Sequence, residues 1–310
     1  MAQVKAIVDK LLTNVSQMYK PQGFVADQLL PLISVKQKTG KLGKYGKSHI
    51  RIEHSLVAGR GQYRRVEPIF RTDTSYSVES HGLSGLVTED DYDNVELPFD
   101  AEKDETIGLT SLIDTNKEYA FAQAFQNSSV LTQTATLAGD DQFSSYLTSD
   151  PLAVFKTARL AVFNGCGFAP NKAVMNWPTF NTLAYHPQIL DALGYTQNRA
   201  GQLSEAELAK AMGIEKLFVA SGKYNSASEG QTDALANIWG NHITYYYAPD
   251  SAQVYQQSLG YRVAMRGGST RVFKYAVNNP PNSTEILVDN CYDVLFSDIT
   301  AGYLIKDVIA

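Results

Sequence analysis

The sequence predicts a mixed α+β fold, because compact helices and short buried strands alternate through the middle of the chain. Asp150 followed by Pro151 is typical of a helix start, since the aspartate caps the first turn and proline lacks only an N–H that would be unpaired there. Ser204 and Glu207 have the spacing of a capping box, which predicts another helix start. Short apolar runs bounded by turn residues predict strands at 172–175 and 215–220. The irregular connections between these elements argue against a doubly wound nucleotide fold.

Length and composition indicate a globular protein. The chain has 310 residues, of which 44% are hydrophobic, so it can bury a sizeable core. No run approaches the roughly 20 consecutive apolar residues of a membrane span, and the first residues do not resemble a signal peptide, so we expect synthesis in the cytoplasm. Cys166 and Cys291 are far apart, and we expect both to be buried free thiols. A formal net charge of −5 argues against a general nucleic-acid condenser.

The remaining elements are predicted in order from the N-terminus. Apolar residues at helical spacing predict a short amphipathic helix within residues 4–19. Residues 24–35 are apolar but contain Pro31, which disfavours a central strand position, so we expect an extended arm packed on another surface. A long helix is predicted from Asp100 to about Ser129, with acidic first turns that suit the helix dipole. Later β-prone stretches predict strands at 132–138, 243–248, 261–265, 271–277 and 285–296.

The stretch 36–93 predicts a long β-ribbon. It lacks a helical period, alternates in places and is punctuated by glycines, which favours two antiparallel strands joined by a tip at 58–61. A lone two-stranded ribbon is marginal in water, so it needs a surface to lie on. Residues 36–71 carry ten basic residues against two acidic ones, whereas residues 73–105 carry eleven acidic residues against one lysine. These opposite charges indicate that the surface belongs to a neighbouring copy of the chain.

The candidate contact residues are therefore charged side chains of these two stretches. The basic set is Lys41, Lys44, Lys47, Arg60, Arg64 and Arg65. The acidic set is Glu89, Asp90, Asp91 and Asp93. Tyr63 lies among the arginines, which leaves a single-stranded nucleic acid open as the partner of the basic set. The acidic set leaves calcium open, although it lacks the spacing of a calcium loop. For the basic set a protein partner is favoured, and for the acidic set a solvated or intersubunit patch is favoured.

The sequence offers no motif for catalysis. It contains no P-loop, no G-x-S-x-G elbow, no H-E-x-x-H and no G-x-G-x-x-G that opens a helix after a strand. The five histidines lack the spacing of metal ligands. We therefore expect no catalytic residue, no cofactor and no metal site, and we expect that the protein is not an enzyme.

A series of short motifs resembles the major capsid proteins of tailed bacteriophages. The motifs occur in the family's order through most of the chain, and the series is more specific than any one of them. They are Phe24-x-Ala-Asp27 with Pro31 and Val35, Ser149-Asp-Pro-Leu152, Asn171-x-x-Val-Met175, Leu183-x-x-His-Pro-x-Ile189, Gly213-x-x-x-Leu217 with Val219-Ala220, Asn225-x-Ala227, Gly230-Gln231 and Trp239-Gly240.

The resemblance implies the Hong Kong 97 coat fold, which is an α+β fold. It implies a division into 1–39 as the N-terminal arm, 40–99 as the extended β-hairpin loop, 100–167 as the peripheral domain with the long helix, 168–288 as the axial domain and 289–310 as the C-terminal return to the peripheral domain. It also implies that the arm and the ribbon have other subunits as partners and lack partners within the chain.

The function implied by the resemblance is structural. Copies of the chain would self-assemble as pentamers and hexamers into an icosahedral head shell that encloses double-stranded DNA without sequence-specific binding. Separate scaffolding, portal and decoration proteins would be its partners, with no membrane. Assembly would take place in the host cytoplasm and the product would be the virion capsid. Some relatives cross-link subunits through a lysine and an asparagine, but no acceptor is identifiable here.

Two alternative functions remain open on the sequence. An encapsulin-like cage has the same fold and would bind a short cargo peptide on its inner face. A DNA-binding protein would use the basic hairpin, and its binding by soluble monomer would depend steeply on salt.

Overall fold

The structure is a computed structural model that describes most of the chain. The described residues are 7–45, 47, 52, 55–57, 61–63, 65, 71–94, 100–194, 202–228, 230–252, 257–277 and 282–310. The predicted ribbon tip at 58–61 lies outside them except for its last residue.

Helices and strands both contribute to the described chain, which confirms the mixed α+β class. The α-helices are α1 (Lys10–Met18), α2 (Ala26–Leu29), α3 (Glu89–Asn94), α4 (Ala101–Phe125), α5 (Pro151–Cys166), α6 (Trp177–Ala184), α7 (Pro187–Ala192) and α8 (Glu205–Met212). The strands are β1 (Ile7–Val8), β2 (Leu32–Val35), β3 (Thr39–Tyr45), β4 (Arg71–Ser77), β5 (Glu79–Val87), β6 (Thr134–Thr136), β7 (Lys172–Asn176), β8 (Lys216–Ala220), β9 (Lys223–Asn225), β10 (Leu235–Asn237), β11 (Ile243–Tyr246), β12 (Gly260–Met265), β13 (Arg271–Val277), β14 (Ser283–Phe296) and β15 (Gly302–Lys306). Short 3-10 turns occur at Gly139–Asp141, Arg266–Gly268 and Ile299–Ala301.

The six-stranded sheet is built on β14, which is 14 residues long. β5 runs antiparallel along one edge of β14, from Val87 opposite Thr284 to Glu79 opposite Tyr292. β13 and β12 share the other edge, and they are flanked in turn by β1 and β2. Helix α4 packs across β5 and β14. Its first part covers the face that carries Val87.

The five-stranded sheet has the order β6-β15-β11-β7-β8. β15 lies between β6, to which it is parallel, and β11, to which it is antiparallel. Helix α5 packs on β11 and β15 and also contacts α7 and α8. The main hydrophobic core fills this region and continues to the end of α4, where the rings of Phe125, Trp239 and Tyr246 meet.

The helix signals read from the sequence are confirmed. The Asp150 carboxylate accepts a hydrogen bond of 3.1 Å from the Ala153 N–H at the start of α5. Helix α8 begins with the predicted capping box of Ser204 and Glu207. The described chain also contains Cys166 and Cys291 as buried free thiols, as expected.

The N-terminal arm packs on its own chain, so the expectation that it lacks partners within the chain was wrong. β1 pairs with β13, and β2 runs parallel to β12 at an edge of the sheet, the position that Pro31 permits. Leu12 of α1 is 1% exposed and packs in a core cluster with Leu109 and Ile113 of α4. The arm is also less extended than predicted, because it contains the helices α1 and α2. Burial of its apolar face on the six-stranded sheet is the physical reason.

The ribbon is shorter than the two long strands predicted over 36–93. β3 and β4 form it, pairing from Thr39 opposite Ser77 to Tyr45 opposite Arg71. The residues after it leave the ribbon, because alternating apolar side chains in β5 join the larger sheet and the acidic run forms α3. Leu42 and Tyr76 pack against the buried cluster around Val263, so the base of the ribbon also has a partner in its own chain.

Both sheets combine strands that are distant in the sequence. The six-stranded sheet takes strands from the first hundred residues and from β12 to β14, whereas the five-stranded sheet takes β6, β7, β8, β11 and β15. The division into domains at residues 39, 99, 167 and 288 stays a prediction.

Candidate functional site

The structure places the basic candidate residues on and near the ribbon. Lys41 and Lys44 lie in β3, opposite Ser75 and Thr72, and Lys41 is exposed. The Lys47 ammonium donates hydrogen bonds to the Gly165 carbonyl oxygen and, at 3.1 Å, to Thr300 Oγ1. This position puts a positive charge at the C-terminal end of α5, where the helix dipole favours it.

Of the three arginines in the basic set, only one is among the described residues. Arg65 is exposed and lies outside any helix or strand, whereas Arg60 and Arg64 lie outside the described residues. Their role in contacts between subunits stays a prediction.

The acidic candidate residues lie on α3, where their side chains are exposed. Asp91 accepts hydrogen bonds of 2.8 Å from the N–H and from the hydroxyl of Thr88, and these bonds lower the pKa of its carboxyl. Asn282 donates to Glu89 Oε2 at 3.1 Å. Tyr92 joins the helix to α4, since its hydroxyl donates to Glu102 Oε1 at 2.6 Å. Asp90 and Asp93 share the same short exposed helix.

In the described contacts, the basic and the acidic residues bond to different parts of the chain. Those of Lys47 are with α5 and the turn at Ile299–Ala301, whereas those of Glu89 and Asp91 are with Asn282 and Thr88. The sequence leads us to expect that the two sets meet between neighbouring chains. This contact stays a prediction.

The structure adds a partly buried ionic junction that the sequence analysis missed. Lys117 of α4, whose side chain is 9% exposed, pairs with Asp27 at 2.9 Å and with Asp114 at 3.2 Å. Arg262 of β12 also donates to the Asp27 carboxylate. The junction therefore ties the N-terminal arm to α4 and to the six-stranded sheet.

Glu118 extends the junction to the other sheet. Its side chain lies in a residue that is only 1% exposed, and it accepts hydrogen bonds from the N–H groups of Val25 and Ala26. The indole N–H of Trp239 donates to Glu118 Oε1 at 2.7 Å. One buried carboxylate thus holds the start of α2 and the segment that leads into β11.

Burial and charge act in opposite directions on the carboxyl groups of the junction. Burial raises the pKa of Glu118, and the hydrogen bonds from Ala26, Val25 and Trp239 offset it only in part. Burial also raises the pKa of Asp114, despite the nearby Lys117. At Asp27 burial raises the pKa too, but the charges of Lys117 and Arg262 outweigh it and the net pKa is lowered.

The junction is suited to holding segments together rather than to chemistry. Its carboxylates accept from backbone, indole and cationic donors, and this arrangement offsets the cost of burying their charge. A cleft of about 90 Å³ beside it is lined by Lys20, Phe24 and Gln28 together with the junction residues. Within the described ranges no group of three or more His, Cys, Asp or Glu side chains could hold a metal ion. No helix among the described residues is both long and apolar enough to cross a membrane.

A signal for this junction exists in the sequence. Ile113, Lys117 and Phe121 follow one another at four-residue spacing on α4, so the lysine lies in the apolar face of the helix. A charged residue in such a position needs a buried partner. The sequence does not show which carboxylates supply it.

The chain is similar to major capsid proteins of two phages. No family model matches it. It is 28% identical to the major capsid protein of Pseudomonas phage JBD67 over 243 residues, which are 77% of each chain. It is 26% identical to the major capsid protein of Burkholderia phage BcepMu over 269 residues, which are 84% of each chain.

Solved structures extend the likeness to the whole chain. A phage-related protein from Bordetella bronchiseptica matches with a TM-score of 0.76 and 23% identity, covering 98% of each chain. The capsid of cyanophage P-SCSP1u matches with a TM-score of 0.59 and 8% identity, covering 93% of this chain and 89% of that chain. At these identities the two matches bear on the fold alone.

Proposed function

We propose that this chain, a relative of phage major capsid proteins in sequence and with the Hong Kong 97-like phage coat fold, is the structural subunit of a phage head shell. The observation that carries this conclusion is the agreement of two kinds of likeness over most of the chain. Sequence similarity to two major capsid proteins covers 77% and 84% of it, and a phage capsid structure covers 93%. The virion capsid is accordingly the place where the protein acts.

The finer organisation is part of the proposal. Copies form pentamers and hexamers in an icosahedral lattice, assembled in the host cytoplasm with separate scaffolding, portal and decoration proteins. The shell encloses double-stranded DNA, and the net charge of −5 supports a container that does not grip phosphate, because phosphate binding grows with each basic contact.

Contacts between subunits combine the two charged sets. The basic ribbon residues of one copy meet the acidic α3 of another, which fixes the register of the contact more than its strength. The exposed position of Lys41 and of the α3 carboxylates supports this arrangement.

The protein acts without catalysis. A serine and a histidine do approach each other, since Ser149 Oγ lies 3.0 Å from His186 Nε2. Both residues are at most 1% exposed, so a substrate has no access to them, and burial lowers the pKa of His186. This pair supports a packing role for the two residues.

The first test is negative-stain electron microscopy with sedimentation of the purified protein, expressed alone and with the other head genes of its phage. Closed shells or regular tubes are expected. Soluble monomers under both conditions would contradict the proposal. A steep salt dependence of DNA binding by those monomers would then favour the DNA-binding alternative, and an intact cage that holds a bound cargo peptide would favour the encapsulin-like one.

Charge reversal tests the contact between the two sets. Replacing Arg64 and Arg65 together by glutamate is expected to impair assembly more than monomer folding. Adding Glu89→Lys and Asp93→Lys in the same chain is expected to restore particles, since the charges are then exchanged. Lys223→Glu, at an exposed position of β9, is the control. Normal shells from the arginine double variant would refute the contact.

A further inference from the structure

The last residues of the chain form a strap beside the main core. We call residues 306–310, which begin at the end of β15, the C-terminal strap. The Leu137 N–H donates to the Lys306 carbonyl oxygen at 3.0 Å, and the Phe143 N–H donates to the Val308 carbonyl oxygen at 2.7 Å. Val308 is 0% exposed and belongs to the main core. The strap therefore binds the segment between β6 and α5 to that core.

A histidine just before β11 accepts a hydrogen bond from the strap. The Asp307 N–H donates to His242 Nδ1 at 3.0 Å, and the Val308 N–H donates to the Asn241 carbonyl oxygen, also at 3.0 Å. A ring nitrogen that accepts a hydrogen bond carries no proton, so the His242 ring is neutral in this arrangement, with its proton on Nε2. When the ring is protonated, both of its nitrogens are donors and the bond to Asp307 is lost.

The backbone of Asp307 is strained at the point where the histidine holds it. Its φ of 52° lies in the left-handed region, which is unfavourable for a residue other than glycine, although aspartate adopts it more readily than most. The side chain of the same residue offers the ring a different partner, since Asp307 Oδ1 lies 3.8 Å from His242 Nδ1. A neutral ring favours the N–H of Asp307, whereas a charged ring favours its carboxylate.

We propose that His242 is a proton sensor, which holds the C-terminal strap closed while its ring is neutral and releases the strap when its ring is charged. On release, the charged ring pairs with the Asp307 carboxylate and the backbone of Asp307 leaves the left-handed region. Because Val308 follows directly in the chain, its side chain is withdrawn from the core. The device lies within one chain, so it is independent of the proposed function.

The surroundings of His242 agree with this direction. Burial has the largest effect and lowers the pKa of His242 below its ordinary value of 6.5, the Asp307 carboxylate opposes this shift, and the charge of Lys306 adds to it. From α4 the neutral amide of Gln126 lies beside the ring, and the exposed carboxylates of the turn at Gly139–Asp141 do not act on it. In the released strap the pKa returns towards 6.5. The closed strap is therefore fully stabilised above about pH 6.5 and loses stability as pH falls through the lowered pKa.

Amide hydrogen exchange of the unassembled, full-length chain tests the sensor. Exchange in the strap is measured by mass spectrometry from about pH 8 to about pH 5, and variants are compared at the same pH so that the intrinsic effect of pH on exchange cancels. Protection of the strap in the unmodified chain is expected to fall below about pH 6.5, by about tenfold for each unit between the pKa values of His242 in the closed and released forms. The buried strand β7 is expected to keep its protection, because the opening is local.

A side chain that cannot titrate separates the sensor from a residue that only packs. His242→Asn keeps an acceptor oxygen in about the place of Nδ1, so it is expected to retain the protection of the strap at neutral pH and to lose the dependence on pH. His81→Asn, in β5, removes a different histidine and is the control, which is expected to behave like the unmodified chain. Equal loss of protection in acid for His242→Asn and the unmodified chain, or no loss in the unmodified chain, would overturn the proposal.

A second variant keeps the test decisive if His242→Asn does not fold. Asp307→Asn retains the backbone N–H and a residue type that adopts the left-handed region, but it removes the carboxylate that favours the charged ring. The strap is therefore expected to open at a lower pH than in the unmodified chain. Opening at the same pH or at a higher one would show that His242 is not the sensor.

Discussion

Glu118 illustrates how a single side chain holds three parts of the chain together. It lies on α4 and accepts hydrogen bonds from the arm, through the N–H groups of Val25 and Ala26, and from Trp239. A buried carboxylate without such donors would be strongly unfavourable. Because it needs all of its donors, Glu118 fixes the position of the arm as well as that of the indole ring.

Replacing this carboxylate by its amide tests its role. Glu118→Gln places an N–H₂ group where the surrounding groups are donors, so we expect the free energy of unfolding to fall by about 1–3 kcal/mol. Urea unfolding followed by tryptophan fluorescence measures it. Gln123→Ala, exposed on the same helix, is the control and should change little. An unchanged unfolding midpoint for Glu118→Gln would show that the junction contributes nothing.

The contribution of Asp27 depends on pH in a defined direction. Its pKa is lowered from the ordinary value of 3.8, so its ionised form stabilises the fold above about pH 4, and this stabilisation is lost as pH falls through the lowered pKa. Its side chain is 53% exposed, so Asp27→Asn should cost at most about 1 kcal/mol. We expect the difference from the unmodified chain to be constant from about pH 7 to 5 and to shrink below about pH 4. A difference that grew in acid would contradict the pairing with Lys117.

The sequence carried only part of the information about these residues. Asp27 and Trp239 stood out as members of family-like motifs, but nothing local showed that they meet around Lys117 and Glu118. Their contacts join residues about 90 and 121 positions apart. Such contacts follow from the way the sheets assemble, which no local spacing specifies.

At the scale of elements, the sequence was sufficient to predict the start of a helix where that start depends only on neighbouring side chains. The capping box of α8 needs only Ser204 and Glu207, and the start of α5 needs only Asp150 and Pro151. Both were predicted at the right residues. By contrast, β5 was assigned to the ribbon although it pairs with β14, because its partner lies some two hundred residues away.

The capping box offers a test of that local reasoning. Ser204→Ala should lower stability by about 1 kcal/mol, since the N–H of Glu207 loses its acceptor. Glu207→Ala should cost a similar amount because the Ser204 N–H loses its own. In the double variant the total loss of stability should be smaller than the sum of the two single losses. Chemical denaturation of the unmodified chain, the two single variants and the double variant measures this difference. Strict additivity would mean that the two side chains act independently.

At the scale of the whole molecule, the packing of the N-terminal arm determines how much of the fold a single, unassembled chain contains. Strands β1 and β2 and helix α1 are part of the folded chain rather than reaching away from it. The resemblance had implied partners on other subunits, but the arm buries its apolar side chains on the sheet and on α4 of the same chain. The monomer therefore reaches an assembly with its arm already in place.

Two neighbouring leucines test the packing of the arm. Leu12→Ala should lower the free energy of unfolding of the unassembled chain by about 2–4 kcal/mol, because it opens a cavity among buried side chains. Leu11→Ala is the matched control: this side chain is 62% exposed, and its loss should matter by about 0.5 kcal/mol or less. Equal small effects of the two substitutions would show that the arm does not dock on its own chain in solution.

The position of β15 bears on the timing of synthesis. This strand lies inside the five-stranded sheet, between β6 and β11, and supplies hydrogen bonds to both. A nascent polypeptide on the ribosome cannot close that sheet until residue 306 has emerged, so shorter chains leave two strand edges and part of the main core open. Unfinished chains are therefore expected to be the species most exposed to aggregation and to proteases. Under the proposed function, only a chain that has been translated through β15 would bring a closed five-stranded sheet to a growing shell.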